Sequence, residues 1–303
     1  METNSSWKGE SPGTQPVFRL WSGAGLAARC LVGYIRGPSH PAKIRLVRYL
    51  QRCVFRLGIP LRADNGALLA VSAADFIGWK LLVEGAYEPL TLQLARKLLG
   101  SGGTLLDVGA NIGLFSAYLC VEPKVTALCV EAHPGNFQRL ERTVALNNID
   151  TQCELVQCAA ADQQGELVLE EVEAENSGLH RVAADNRDSA NRVHRVAAHR
   201  LDDLLEQSCL ERVTVLKIDV EGFEIQALKG MSWEGRYRPK NVITEFSDYS
   251  MRLGGAGKQE MVSFFKDQGY TGYLIDGRKL EDQSSIPEDN VWFSDDRSPV
   301  HFE

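Results

Sequence analysis

The chain of 303 residues is 44% apolar and 24% charged, and this allows one large α/β domain or one domain with an appended subdomain. A net charge of −7 argues against a general nucleic-acid-binding protein, because such proteins are usually basic. The seven cysteines form no Cys-x-x-Cys pair, so they lack the spacing of a zinc site and predict reduced thiols in a cytoplasmic protein.

The first 80 residues predict a small appendage ahead of the main domain. Residues 1–16 are rich in Ser, Gly and Pro, which is typical of a disordered tail. In residues 17–80 we expect helices and a β-hairpin, because Asn65-Gly66 separates two apolar runs. Arginines and glycines interrupt Phe18–Ile35, so this segment predicts neither a transmembrane helix nor a signal peptide.

Residues 41–57 have the pattern of a basic amphipathic helix. Apolar residues recur at helical spacing, and basic residues occupy many of the remaining positions. The apolar positions are Ile44, Val47, Leu50, Val54 and Leu57. We favour a helix that packs this apolar stripe on the domain and keeps its arginines in water. The alternative is peripheral contact with an anionic membrane or a partner.

The stretch Thr104–Ser116 is the centre of the predicted main domain. A short apolar run predicts a buried strand, which turns at Gly109 and Gly113 into a helix. Gly109 allows a tight turn with positive φ, and Gly113 lets the start of the helix approach a ligand closely. The spacing is Gly-x-x-x-Gly, not the dinucleotide-binding Gly-x-Gly-x-x-Gly. The preceding Asp107 suits a cationic or hydroxyl-rich ligand better than a pyrophosphate.

Two further strands are predicted after this turn. Val125–Val130 ends in Glu131, and an acid at the tip of this strand is the usual place to bind ribose hydroxyls. Cys153–Cys158 predicts the third strand, after which adenine is usually held in such folds. There Ala159 would leave room for a ring and Asp162 would offer a hydrogen bond, although Asp162 could equally lie in an ordinary turn.

The polar stretch 176–200 is a candidate substrate loop, since residues 176–192 show no clean helical or strand period. Its arginines could bind a phosphate- or carboxylate-bearing acceptor. A solvated loop whose charge offsets the acidic segment 166–175 is the alternative. The arginines are Arg181, Arg187, Arg192, Arg195 and Arg200.

Val213–Ile218 predicts the fourth strand and Val242–Thr244 the fifth. Strand alternation places Lys217 and Asp219 on one side, where they could pair. The alternative is a surface pair of Lys217 with Glu221, with Asp219 only capping the next helix. Ligands of open parallel sheets bind beyond the carboxyl ends of the strands. We therefore expect the acids that follow the strands at one rim: Asp107, Glu131, Asp219 and Glu245.

Three motifs, in this order, resemble the FkbM-type S-adenosylmethionine-dependent methyltransferases. They are Leu106-Asp-Val-Gly-Ala-Asn-Ile-Gly113, Val130-Glu-Ala-His-Pro134 and Leu216-Lys-Ile-Asp-Val-Glu-Gly222. The similarity continues through Gly85–Pro89 and Ile243–Phe246. It implies an α/β, Rossmann-like class I methyltransferase fold over residues 81–303. The expected sheet is mostly parallel and seven-stranded, with helices on both faces and an antiparallel pair at its end.

The resemblance also implies a cofactor, S-adenosylmethionine, which leaves as S-adenosylhomocysteine. The segment before the core helps cover the cofactor, with Tyr87 on the cofactor side. Glu84 and Glu88 either contribute to the site or lie at a solvated helix start. The implied cofactor-binding residues are Glu84, Tyr87, Asp107, Gly109, Ala110, Asn111, Gly113, Glu131, Ala132, Ala159 and Asp219.

Asp219 is the first candidate for the carboxylate that accepts the acceptor's proton, with Glu221 and Glu245 next. The activity implied by the resemblance is O-methylation of a small-molecule or sugar-like acceptor by in-line displacement. Three acids at one rim could hold a divalent cation, but a metal is not predicted. An N-methyltransferase and a non-catalytic cofactor-binding scaffold are the alternatives; the absence of Gly-x-Gly-x-x-Gly argues against a nicotinamide dehydrogenase.

Overall fold

The computed structural model describes residues 16–40, 42–54, 58–171, 180–182, 193–248, 257–280 and 289–297. Within these ranges the strands are β1 (Phe18–Leu20), β2 (Ile59–Ala63), β3 (Leu68–Val71), β4 (Thr104–Val108), β5 (Thr126–Val130), β6 (Cys153–Val156), β7 (Ala159–Ala160), β8 (Gly165–Glu171), β9 (His180–Val182), β10 (Val193–His199), β11 (Val215–Ile218), β12 (Asn241–Phe246), β13 (Tyr270–Leu274) and β14 (Asp289–Asp295). The helices are α1 (Leu26–Arg36), α2 (Lys43–Val54), α3 (Phe76–Glu84), α4 (Pro89–Leu99), α5 (Leu114–Cys120), α6 (Pro134–Asn147), α7 (Leu201–Gln207), α8 (Glu224–Lys229) and α9 (Lys258–Asp267).

Seven strands form the central sheet, in the spatial order β13–β14–β12–β11–β4–β5–β6. Neighbouring strands are parallel except that β14 is antiparallel to both β12 and β13. The chain first builds outward from β4 to β6 and then returns to place β11 on the other side of β4. The sheet therefore has its topological switch point between β4 and β11, where open α/β sheets bind ligands. The predicted mostly parallel sheet with an antiparallel end is confirmed.

Helices cover both faces of the sheet because both faces of its strands are apolar. Alternate side chains of β4 enter opposite cores: Leu105 packs in the core that contains α4 and α5, and Leu106 in the core that contains α7 and α8. Both side chains are fully buried. This two-sided burial explains why the central strands read as continuous apolar runs in the sequence.

The N-terminal segment contains the predicted hairpin, in which β2 and β3 pair in antiparallel fashion around Asn65-Gly66, and β1 adds a third strand. The side-chain amide of Asn65 donates to the carbonyl of Tyr118 in α5 over 2.7 Å. Phe18 lies in the same apolar core as Leu105. Helix α3 runs continuously across residue 80. Residues 1–15 of the predicted tail lie outside the described residues.

Helix α2 buries less of its apolar stripe than we expected. Val47 is fully buried, but Ile44 is 47% exposed. Lys43 and Gln51 occupy the buried face beside Val47. The side chains of Val54 and Leu57 lie outside the described residues. The expected packing of the whole stripe is therefore wrong at Ile44, because the helix is rotated to bury two long polar side chains instead.

Part of the predicted loop 176–200 is a strand. β10 pairs with β8 in antiparallel register, from Val193 opposite Glu170 to Ala198 opposite Gly165. Arg195 forms an exposed ion pair of 2.8 Å with Glu166 in β8, and Arg200 pairs with Asp202 at 3.0 Å. These two arginines thus have carboxylate partners within the chain. Arg187 and Arg192 lie outside the described residues.

The turn after β4 is fixed on both sides by main-chain hydrogen bonds. The N–H groups of Gly109 and Ala110 donate to the carbonyl of Val130, and the N–H of Asp219 donates to the carbonyl of Val108. Gly109 has φ of +80°, and a Cβ there would lie 1.9 Å from the carbonyl oxygen of Asp219. Glycine is therefore required both by the backbone conformation and by the close approach of the turn after β11.

We expect Gly109→Ala to lower the free energy of unfolding by about 3 kcal/mol or more, because the added Cβ forces two strand ends apart. Gly235→Ala is the matched control: Gly235 has φ of +92° with nothing within 4 Å of a Cβ. The free energy of unfolding of that variant should fall by only about 1 kcal/mol, the cost of a positive φ for alanine. Urea unfolding measures both. Equal losses would show that the contact with Asp219 adds nothing to the glycine requirement.

Candidate active site

A cavity of about 340 Å³ lies at the switch point of the sheet. The residues that follow the carboxyl ends of β4, β5, β11 and β12 line it, and the start of α3 contributes to it. Most of the predicted site residues meet here. Those that line the cavity are Tyr87, Asp107, Gly109, Ala110, Asn111, Glu131, Ala132, Ala159, Asp219, Glu221 and Glu245.

Glu84, Gly113 and Asp162 do not line the cavity. Glu84 is exposed at the end of α3, and the chain then turns at Gly85 with φ of +78°. The turn brings Glu88 to the cavity in place of Glu84. Asp162 is exposed. Of the alternatives left open by the sequence, an ordinary turn for Asp162 and a solvated position for Glu84 agree with this exposure.

Gly113 allows two helices to pack closely, and its expected approach to a ligand stays a prediction. It precedes α5 with φ of +81°, and a Cβ there would lie 2.8 Å from Cδ1 of Leu140 in α6 and 3.2 Å from Cγ2 of Thr143. The hydroxyl of Thr143 donates to the carbonyl of Ile112 over 2.7 Å. Gly113 therefore lets α5 and α6 pack closely behind the cavity wall.

Glu131 is a fixed, buried hydrogen-bond acceptor at the tip of β5. Its Oε2 accepts from the N–H of Asn111 at 2.8 Å, and its Oε1 accepts from the N–H of His133 at 2.7 Å. Burial raises the pKa of Glu131 to about 7, although the two main-chain donors oppose the rise. Both oxygens keep acceptor capacity for a ligand in the cavity.

Asp107 is almost fully buried at the end of β4. The hydroxyl of Ser116 donates to its Oδ2 at 2.7 Å. Burial raises the pKa of Asp107 to about 6, against the effects of Ser116 and of the nearby Lys217. Asp107 therefore faces the cavity with one oxygen already held by α5, which fixes its orientation.

Lys217 pairs with Asp219, as one of the two sequence interpretations proposed. Its Nζ lies 3.2 Å from Oδ2 of Asp219, and the side chain of Lys217 is only 3% exposed, against 27% for Asp219. The Nζ also lies 5.3 Å from the ring centroid of Phe115. Because Lys217 is buried, the alternative of a surface pair with Glu221 is wrong.

Carboxyl groups surround this single ammonium group. Burial lowers the pKa of Lys217, but Asp219, Glu88 and Glu245 outweigh burial and hold its pKa above the ordinary value. Burial and the nearby Asp219 together raise the pKa of Glu245 to about 8, against the effect of Lys217. Burial also raises the pKa of Glu88 and that of Tyr87. The raised pKa favours the protonated form of Glu245, which can donate a hydrogen bond.

The sequence left the place of Glu88 open and gave no signal for several other residues of the site. Glu88 has φ of +44°, and its Oε2 accepts from the side-chain amide of Asn290 at 2.9 Å. Phe76 and Ile77 reach the cavity from the start of α3, within the predicted appendage of residues 17–80. Glu224 is buried and its Oε1 accepts from the N–H groups of Val220 and Gly222, which fixes the turn after β11. Only pairing between distant segments brings these residues together.

The described residues contain no group of three or more His, Cys, Asp or Glu side chains placed to hold a metal ion. The acids at the rim belong to separate strands and pair with main-chain donors, with Ser116 or with Lys217 instead. The described structure therefore offers no preformed cation site at the rim.

The sequence profile of the methyltransferase FkbM domain matches residues 107–271. Among curated proteins, the chain is 29% identical over 214 residues to methyltransferase sdnD of Sordaria araneosa, which covers 61% of this chain and 80% of that protein. It is 26% identical over 241 residues to 31-O-demethyl-FK506 methyltransferase FkbM of Streptomyces tacrolimicus. This match covers 70% of this chain and 88% of that protein. It is 27% identical over 128 residues to hexuronic acid methyltransferase AglP of Haloferax volcanii. This match covers 42% of this chain and 49% of that protein.

We expect Glu245→Gln to reduce the decrease in the free energy of unfolding between pH 5 and 8. A carboxyl whose pKa is raised on folding contributes stability that is fully present below its unfolded pKa of about 4.3 and is lost as pH rises toward about 8. In that window the group lowers the free energy of unfolding by up to about 1.4 kcal/mol per pH unit. Urea unfolding at several pH values measures the slope.

The control for this prediction is Glu141→Gln on the exposed face of α6, which should keep the slope of the parent protein. A Glu245→Gln protein with the parent's slope would show that Glu245 ionises as readily in the folded chain as in the unfolded chain.

Proposed function

Because the chain belongs to the methyltransferase FkbM domain family, we propose that this methyltransferase uses S-adenosylmethionine to methylate a hydroxyl group of a small-molecule or sugar-like acceptor. One observation carries the proposal. The cavity at the switch point joins the buried acceptor Glu131 on one side with the Lys217–Asp219 pair on the other. The first suits a ribose and the second suits a reacting hydroxyl.

The residues present fit the cofactor. Glu131 lies at the tip of the second parallel strand, where an acid accepts hydrogen bonds from ribose hydroxyls. Asn111 has φ of +51°, and its buried Oδ1 has no hydrogen-bond partner among the described residues. A buried acceptor without a partner is costly, so a donor on a bound ligand would stabilise it. Ala159 and Ala160 leave the cavity wall beyond β6 free of large side chains.

The charge of the cavity also fits. Six carboxyl side chains line it, against one lysine and no arginine among the described residues. The carboxyl groups are those of Glu88, Asp107, Glu131, Asp219, Glu221 and Glu245. S-adenosylmethionine, when bound, supplies an electrophilic methyl group on a cationic sulfonium. A lining rich in carboxyl oxygens and poor in cationic side chains suits such a ligand better than a pyrophosphate.

Asp219 is the group that we assign to proton transfer. Its carboxylate is partly exposed to the cavity and is held by Lys217 at 3.2 Å, so it can accept a proton from an acceptor hydroxyl at its free oxygen. The raised pKa of Glu245 favours its protonated form, in which it can orient the acceptor as a hydrogen-bond donor. Positioning of this kind contributes about 7–11 kcal/mol in the best model systems, and a general base contributes roughly 10²–10⁴-fold.

The names of two relatives support a hydroxyl acceptor. One is a 31-O-demethyl-FK506 methyltransferase and the other a hexuronic acid methyltransferase. Both names describe small molecules or sugars. A carboxylate poised to accept a proton favours a hydroxyl over an amine, because an amine acceptor must already be neutral to react and gains less from a base.

We expect Glu131→Gln to weaken the binding of S-adenosylmethionine by about tenfold or more, because one charge-assisted acceptor of ribose hydroxyls is lost. Glu141→Gln on the exposed face of α6 is the control and should bind as the parent does. Isothermal titration calorimetry measures both affinities. Unchanged affinity in the Glu131→Gln protein would contradict the proposed ribose site.

We expect Asp219→Asn to reduce turnover by about 10²–10⁴-fold and to leave the affinity for S-adenosylmethionine within a few-fold of the parent. The assay follows transfer of a labelled methyl group to a panel of hydroxylated macrocycles, sugars and primary amines. Glu221→Gln serves as a comparison and should lose less activity. Equal losses of turnover and cofactor affinity in Asp219→Asn would show that Asp219 holds the cofactor or the fold instead.

A further inference from the structure

The N-terminal part of the chain has a charge opposite to that of the whole. Residues 11–63 contain nine of the 33 Lys and Arg residues and none of the 40 Asp and Glu residues. The chain as a whole carries a net charge of −7. A basic block on an acidic protein creates a local field that attracts anionic surfaces. The basic residues are Arg19, Arg29, Arg36, Lys43, Arg45, Arg48, Arg52, Arg56 and Arg62.

The same part of the chain holds most of the exposed large apolar side chains. Nine of the eleven such side chains in the described residues lie within residues 17–90. The two others, Leu146 and Val193, belong to α6 and β10. The nine are Val17, Trp21, Leu26, Ile44, Leu46, Tyr49, Phe76, Val83 and Leu90.

Helix α2 turns a mixed apolar and basic face to solvent. Val47 and Gln51 are buried on one side of the helix. On the other side Tyr49 is 64% exposed, Leu46 is 43% exposed, and Arg45 is exposed beside them. A helix that served only the core would place leucine and tyrosine inward and its polar residues outward, whereas α2 keeps polar Gln51 inside.

Helix α1, which contacts α2, also exposes an apolar side chain. Its Leu26 is 78% exposed, while Leu31 and Ile35 on its other side are buried. The exposed Arg29 donates from its guanidinium to the carbonyls of Ser22 and Ala24, which leaves its charge uncompensated by those contacts. α1 contacts both α2 and α3.

We propose that the outer face of α1 and α2 docks on a bilayer that carries anionic headgroups. Arginines between exposed leucines and a tyrosine fit a surface that is anionic in its headgroups and apolar just beneath. A nucleic acid would match the charge but would leave Leu26, Leu46 and Tyr49 in water. The helices have 11 and 12 residues and are therefore about 16–18 Å long. They lie along the bilayer, since no described helix is long and apolar enough to cross it.

This docking would bring α3, whose first residue lines the cavity, close to the bilayer. Phe76 begins α3, lines the cavity and is 49% exposed. Helix α3 is tied to α1 through Arg36, whose Nε donates to the carbonyl of Leu82 at 2.8 Å. The docking itself does not depend on methyl transfer and is measured without cofactor or acceptor.

The experiment is flotation of the full chain with two kinds of vesicle. One contains phosphatidylcholine alone, and the other contains roughly 30% phosphatidylserine in phosphatidylcholine. We expect binding to the second kind only, weakened at high salt because screening shortens the reach of the arginines. Arg45→Glu and Leu46→Glu should each lower vesicle affinity by roughly tenfold.

Two variants on α6 are the matched controls. Arg142→Glu repeats the charge reversal at another exposed arginine, and Leu146→Glu repeats the apolar replacement at a leucine that is 40% exposed, close to the 43% of Leu46. Both should bind vesicles as the parent does, and all four variants should keep the parent's melting temperature.

Absence of binding to anionic vesicles, equal binding to both kinds, or equal losses in the α2 and α6 variants would overturn the proposal. A second result would also overturn it: the parent does not bind vesicles, light scattering shows that it is a dimer, and Arg45→Glu dissociates this dimer. The face would then contact a second copy of the chain.

Discussion

The close approach of two strand ends at the switch point of the sheet is the constraint on which the site depends. The turn after β4 and the turn after β11 meet where Gly109 faces the carbonyl of Asp219. The main chain of both turns is held by hydrogen bonds to Val130 and Val108. Without a side chain at Gly109, the carboxyl groups that follow the two strands can lie on one cavity. The arrangement of the site therefore depends on glycine at position 109.

The cavity gathers carboxyl groups in a poorly solvated place, where their ionisation costs stability. Burial is the largest cause of the raised pKa values of Asp107, Glu131 and Glu245. A single buried ammonium, that of Lys217, compensates part of this charge. Active sites commonly store such strain, because groups arranged for a ligand are poorly satisfied without it. A bound cationic ligand that donates hydrogen bonds would stabilise the buried carboxyl groups that Lys217 alone does not compensate.

The sheet and its rim could be predicted from the sequence, but the walls of the cavity could not. Apolar runs, glycine turns and an acid after each strand are local signals, and they correctly placed Asp107, Glu131 and Asp219 together. Glu88 reaches the cavity only through a left-handed turn. Phe76 reaches it only because α3 packs against the domain. Both depend on contacts between segments far apart in the chain, which periodicity does not encode.

The most direct test of the account is calorimetric titration of the purified chain with S-adenosylmethionine, S-adenosylhomocysteine and NAD. We predict that the first two bind and that NAD does not. At about one hundred times its dissociation constant, S-adenosylmethionine should also raise the free energy of unfolding by roughly 2.7 kcal/mol. Binding of NAD in place of the first two would contradict the assignment of the cavity, and with it the proposed roles of Glu131 and Asp219.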